Sequence, residues 1–259
     1  MNTKSMYLLS ALVIFIITNA CTSEKTELFN GKDLDSWDVF IGKPIYNKDA
    51  NKSKLSPFSV VSKDGSPTIK ISGEVNASLC TKKSYSNYHL SLEFKYGGKV
   101  YDKRNSGLLY HSVGNFGEGI DTWKSSIEFQ MMEGNVGAMY CMGNTNCQVN
   151  SVSTDSLNFT YDPNGDALKY GLGSEIGKYC MPILGNEKEP NEWNKLDLYC
   201  LNNKAIHILN GKVVCIVNEI KDGNAQDLTA GQIQLQSEGA ELFIKNINIK
   251  SIENIDITY

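Results

Sequence analysis

Glu128 and Gln130 stand two residues apart in Ser126-Ile127-Glu128-Phe129-Gln130-Met131, a run that alternates polar and apolar side chains. In an extended chain such a pair projects from one face, about 7 Å apart, with Ile127, Phe129 and Met131 on the other. A carboxylate beside an amide can grip paired hydroxyls, and the carboxylate can also move a proton. Two further stretches offer similar groups. Asn105, Gly107, Leu109 and His111 share parity, and so do Gln232, Gln234, Gln236 and Glu238, with Ile233 and Leu235 opposed to the second set. Trp123 and Tyr110 are near in sequence and could supply rings for the C–H face of a sugar. Polar outer faces are also ordinary on antiparallel sheets, so a sugar-binding face and a solvated face both fit this pattern. His111 fits a catalytic imidazole or a hydrogen-bonded structural one. His207, in an apolar hairpin, reads as structural, and His89, opening a strand, as exposed.

Strands must position these groups. His89 to Tyr96 places Leu90, Leu92, Phe94 and Tyr96 on one face; Gln232 to Gln236 alternates cleanly; Leu242 to Ile249 forms a last apolar strand. Asn210-Gly211 between two apolar runs signals a two-residue hairpin. After residue 22 no stretch shows a helical period, so the pattern predicts an all-β sandwich or barrel. Residues 134–190 are rich in Gly, Asn, Asp and Tyr with little alternation. They read as one or two long loops, either functional or a bland insertion. Asp162-Pro163-Asn164-Gly165-Asp166 has oxygen donors, but its glycine falls too early for a calcium loop, so a turn is expected.

The chain has 259 residues and a formal net charge of −4, with Arg104 its only arginine. No basic stripe exists, which argues against nucleic acid. No Gly-x-Ser-x-Gly, Walker or His-Glu-x-x-His sequence occurs. Met6 to Ile17 is an uncharged run, too short to span a bilayer but suited to the apolar core of a signal peptide. It leads to Thr18-Asn19-Ala20-Cys21, similar to a bacterial lipobox. The expected organisation is a signal peptide over 1–20, a lipidated tether over 21–26 with the acyl chains on Cys21, and one domain over 27–259. That places the protein in the bacterial cell envelope, touching the membrane through its lipid alone. An ordinary cleaved signal peptide is the alternative. Of the six remaining cysteines, Cys141 and Cys147 are the best disulfide pair, because an exported protein can be oxidised.

The order of several short motifs is recognisable. Leu28-Phe29-Asn30-Gly31-Lys32-Asp33-Leu34 with Trp37, Asn105-Ser106-Gly107, Ile127-Glu128-Phe129-Gln130, Glu192-Trp193-Asn194, Gly231 to Gly239 and Phe243 to Ile247 resemble, in sequence, the 3-keto-disaccharide hydrolase domain family. The resemblance covers about residues 27–250. It implies a concanavalin A-like jelly-roll sandwich of two antiparallel sheets with long loops, acting on glycosides oxidised at C3.

Ordinary glycosidases flank the scissile bond with two carboxylates. A C3 ketone instead acidifies the C2 proton, so a base can remove it and the enolate can expel the C1 substituent, with water adding later. On this scheme Glu128 is the acid/base and His111 its partner or the enolate stabiliser. Asn105, Gln130, Trp123, Gln236 and Glu238 hold the sugar. Lys245 offers positive charge, or lies in the core with Phe243 and Ile247. A divalent metal held by Glu128 and His111 is compatible with this scheme. The alternative is a non-catalytic carbohydrate-binding lipoprotein of the same fold.

Overall fold

The computed structural model describes residues 25–42, 55–155 and 158–257, so Cys21 and the signal-like segment lie outside the described residues. In chain order the strands are β1 (Thr26–Glu27), β2 (Trp37–Ile41), β3 (Phe58–Lys63), β4 (Ser66–Ile71), β5 (Ala77–Thr81), β6 (Tyr85–Ser86), β7 (Tyr88–Asn105), β8 (Gly107–Val113) and β9 (Ser125–Gln130). Then come β10 (Met139–Met142), β11 (Asn146–Ser153), β12 (Phe159–Tyr161), β13 (Asp166–Gly171), β14 (Tyr179–Cys180), β15 (Asn194–Leu201), β16 (Lys204–Leu209), β17 (Lys212–Lys221) and β18 (Ala230–Ser251). No helix occurs among the described residues.

All named pairings are antiparallel, and they make two packed sheets of a jelly-roll sandwich. The front sheet runs β2–β5–β18–β8–β9–β10–β14. The back sheet runs β3–β4–β18–β7–β15–β16–β17 and continues through β11 into β12 and β13. β18 belongs to both. Its residues Gln234–Ser237 pair with β5 in front, and Leu242–Ile244 pair with β4 behind. The change of sheet falls at Glu238-Gly239-Ala240, where the register against β7 shifts repeatedly. Gly73 packs into this corner; a Cβ there would lie 2.1 Å from the Ala240 carbonyl oxygen, and its φ is +74°, so only glycine fits.

Alternation decides which side chains meet between the sheets. Leu79, Leu108, Tyr110, Ile127, Phe129, Ile233 and Leu235 come from the front, and Ile69, Leu90, Leu92, Phe94, Leu196, Leu198, Leu242 and Ile244 from the back; all are buried. Burying each large apolar side chain contributes about 1.5–3 kcal/mol before chain entropy is counted. The Asn210-Gly211 hairpin forms as expected, with φ of +50° and +83° at its two central residues, the combination that matches strand twist. The Asp162 segment is a turn: Asp162 Oδ1 accepts from the Asn164 amide at 2.8 Å.

Two expectations need correction. Residues 134–190 are not one or two long loops but hold β10 to β14, which widen the front sheet and build the flank of the back sheet. All six cysteines from Cys80 onward are free and buried; Cys141 and Cys147 are neighbours with sulfurs 3.5 Å apart, unbonded.

Candidate functional site

The outer face of the front sheet carries the site. Gly107 pairs with Gln130, and Leu109 pairs with both Glu128 and Gln234, so these residues share that face. Gln236 lies one repeat along β18 from Gln234, beside Ser78 of β5. Asn105 sits opposite Glu238 at the corner of β18. The centre of this group is a glycine because nothing larger fits. A Cβ on Gly107 would stand 2.2 Å from Glu128 Oε1 and 2.7 Å from Gln236 Oε1. The two oxygens are therefore within 5 Å of each other, above the Gly107 backbone.

The electrostatics are unusual for a sheet face. Glu128 is 2 % exposed and Gln236 0 %, and Asn105 and Gln130 are also buried. Yet Asn105 Oδ1, Glu128 Oε1, Gln130 Oε1 and both amide atoms of Gln236 have no hydrogen-bond partner among the described residues. Each such atom costs about 1–3 kcal/mol of lost hydration, so a protein retains a cluster of them only for a reason. Burial, then the charge of Glu238, pushes the Glu128 carboxyl well above the ordinary carboxylate range, with the Gln236 amide opposing. Burial raises Glu238 to about 7, against the pull of Lys103. Burial thus favours the protonated form of Glu128, while Glu238 titrates near neutrality.

The walls come from neighbouring elements. Trp123, Leu109 and Met142 form a small apolar cluster on this face, with Tyr140 packed against it. Tyr140 pairs directly with Glu128, and Tyr179 with Tyr140. Burial and the charge of Glu128 raise both phenols, Tyr179 to about 12. Sequence reasoning missed both tyrosines; strands of four and two residues are too short to declare an alternation.

Four expected members are elsewhere or differently disposed. His111 does not join Glu128. It occupies a bulge in β8, with φ +50° and a register shift between Tyr110 and Val113. The extra residue reverses the parity, so Ser112 faces outward to Gln234, while the His111 ring turns between the sheets, 6.1 Å from Tyr88 and 5.5 Å from Tyr110. Burial lowers its pKa to about 4, so it is neutral, and it cannot share a metal ion with Glu128. Lys245 is on the outer face of the other sheet, paired with Glu93 at 3.6 Å and lying over the Trp193 ring. It is neither in the core nor near Glu128. Trp123 is on the right face but fully buried, its Nε1 donating to the Ala77 carbonyl at 3.2 Å, so it walls the site rather than offering an open ring. Tyr110 also points inward; its hydroxyl meets His207 Nε2 at 2.9 Å, and His207 Nδ1 donates to the Gly137 carbonyl, a structural arrangement. His89 is half-buried rather than exposed, paired with Asp197 at 2.7 Å. Among the described residues no group of three His, Cys, Asp or Glu side chains is placed to hold a metal ion.

A two-sheet jelly roll with a glycine-centred ring of buried carboxyl and amide groups has the build of the concanavalin A-like carbohydrate-active proteins. Residues 24–250 match the 3-keto-alpha-glucoside-1,2-lyase-like domain, and the chain belongs to that family. Among solved structures, a presumed glycosyl hydrolase from Parabacteroides distasonis ATCC 8503 is 22% identical, with 88% of this chain and 94% of that chain covered and a TM-score of 0.53. A second from the same organism is 21% identical over 83% of this chain and 99% of that one, with a TM-score of 0.46. A Bacillus subtilis protein of unknown function with a galectin-like fold is 10% identical over 88% and 94%, with a TM-score of 0.48. No curated protein matches the chain by sequence.

Proposed function

We propose that this protein cleaves the C1–O bond of glycosides oxidised at C3, by removing the C2 proton and eliminating the C1 substituent. The observation that carries the reading is the buried carboxyl of Glu128 near the half-buried carboxyl of Glu238, set among unpartnered amides. A carboxyl poised near pH 7 suits a general base, and one that stays protonated suits a general acid. Glu238 takes the C2 proton, and the C–H electrons form the enolate at C2–C3. Collapse of the enolate breaks the C1–O bond and leaves a C1=C2 double bond conjugated to the C3 ketone. Glu128 gives its proton to the departing oxygen, so the aglycone leaves as an alcohol. Asn105, Gln130 and Gln236 hold the hydroxyls, and an amide N–H steadies the enolate oxygen. Water adding to C1 afterwards completes a hydrolysis.

The test is turnover of a 3-keto-glucoside against the unmodified glucoside, followed by release of the alcohol. Wild type should act on the oxidised sugar alone, and Glu128→Gln should lose at least about 100-fold in kcat. Unchanged turnover in that variant removes Glu128 from the chemistry. Glycan binding with no product from any oxidised sugar would instead mark a capture protein using the same ring.

The lipobox-like Thr18-Asn19-Ala20-Cys21 supports acylation at Cys21 and an envelope location. A palmitate analogue should label wild type but not Cys21→Ser; equal labelling of both would remove the anchor.

A further inference from the structure

The outer face of the back sheet is a second feature that the proposed chemistry leaves unused. We infer that this face rests on the anionic headgroups of the membrane and so turns the Glu128 site away from the bilayer; the inference depends on the acylation of Cys21 proposed above.

The geometry begins with β1. Thr26 and Glu27 pair with Ile249 and Asn248 at the end of β18, which fixes the entry of the chain to the back sheet. Lys25 borders a shallow groove there, together with His89, Lys195, Asp197, Asn248 and Lys250. Cys21 is four residues before Lys25, and four residues reach at most about 14 Å. Acyl chains on Cys21 therefore hold this groove within about that distance of the lipid surface. The two sheets are about 10 Å apart. The Glu128 face, on the far side of the sandwich, opens away from the bilayer.

Charge agrees with position. The chain as a whole carries −4. Across this part of the back face, however, Lys25, Lys195, Lys245 and Lys250 stand against Glu27, Glu93 and Asp197, which leaves a local excess of one positive charge, and Glu27 is paired with Lys25 at 3.2 Å. Asp197 is already engaged by His89 and Lys195, at 2.7 and 3.0 Å. Burial would raise its carboxyl, but these two hydrogen bonds outweigh burial and hold it below the usual range. Lys250 is exposed and has no carboxylate partner among the described residues. A surface with a local excess of lysine next to a lipid tether is complementary to a negatively charged leaflet.

The experiment uses the acylated full-length protein in vesicles of phosphatidylcholine with or without phosphatidylglycerol, footprinted with an amine-reactive acetylating reagent and read by mass spectrometry. Lys195 and Lys250 should react about fivefold more slowly when phosphatidylglycerol is present, and high salt should restore them. Lys103, beside the front site, should react equally in both. The double variant Lys25→Gln/Lys250→Gln changes two exposed side chains and should still float with the vesicles, but should lose the protection of Lys195. If the protein floats and Lys195 and Lys250 react alike with and without phosphatidylglycerol, the docking is wrong and the anchor stands. If wild type does not float, anchor and docking fall together.

Discussion

The two outer faces of this sandwich are built from the same alternating strands but treat polar groups in opposite ways. On the back, charges are matched almost throughout, whether the carboxylate is buried or exposed: Lys70 with Glu241, Lys95 with Asp64, Lys195 with Asp197 and Lys245 with Glu93, with Lys250 left over. On the front, Glu128, Gln130, Gln236 and Asn105 are buried and left without partners. Matched surface charges keep a sheet soluble and contribute little to stability. Unmatched buried groups cost stability and are kept where a ligand completes them. The contrast separates a solvated face from a working one more sharply than any single residue does.

The largest expected effect tests the crowded centre of the front face. Gly107→Ala should lower kcat/KM for the 3-keto-glucoside by at least about 100-fold, because the added methyl must displace the Glu128 carboxyl by more than a tenth of a nanometre. Wild-type kinetics in that variant would show that the carboxyl needs no fixed place. Next, Gln236→Met should abolish sugar binding yet raise the unfolding free energy in urea by about 1–2 kcal/mol, since an unpartnered buried amide is replaced by an apolar chain. A loss of stability would mean that the amide is already satisfied.

The third effect is on pH. Glu238 has a folded pKa of about 7 and Glu128 one well above the ordinary range, so the folded state holds protons that the unfolded chain releases above about 4.5. Their contribution is fully present below that value and is lost as pH rises through the folded pKa values. Thermal stability should fall as pH rises from about 5 to 8, by an amount on the order of 1–3 kcal/mol, and Glu238→Gln should flatten the part of the profile below about pH 7. A flat wild-type profile would place both carboxyls in water. The smallest effect belongs to the back: Lys245→Ala should change stability by less than about 1 kcal/mol and leave turnover unchanged. A large loss of turnover there would erase the distinction between the faces.

Much of this was legible in the sequence, and the failures have physical causes. Period-2 alternation puts Glu128 with Gln130 on one face of their strand and Gln236 on the polar face of its own, because both strands are regular there; that the two strands share one sheet comes from the pairing through β8. His111 was misplaced because a bulge adds one residue after Tyr110, and parity cannot be carried across a bulge whose only trace is a left-handed residue. Lys245 was misplaced because β18 changes sheets at Gly239; alternation gives the side of a strand, not the sheet to which it belongs. Trp123 was found but its burial was not, since the loop that folds it down onto Ala77 is fixed by tertiary contacts. Tyr140 and Tyr179 lie in a Gly/Asn-rich segment whose strands gain their stability from β9, not from local propensity.

The continuous run of β18 through both layers has a mechanical consequence. Twenty-two residues of one chain segment bind the two halves of the sandwich, so neither half can peel off while the other stays folded. Melting should therefore occur as one sharp transition rather than two. A proteolytic nick at Gly239 would uncouple the layers and loosen the Glu128 face and the opposite face together.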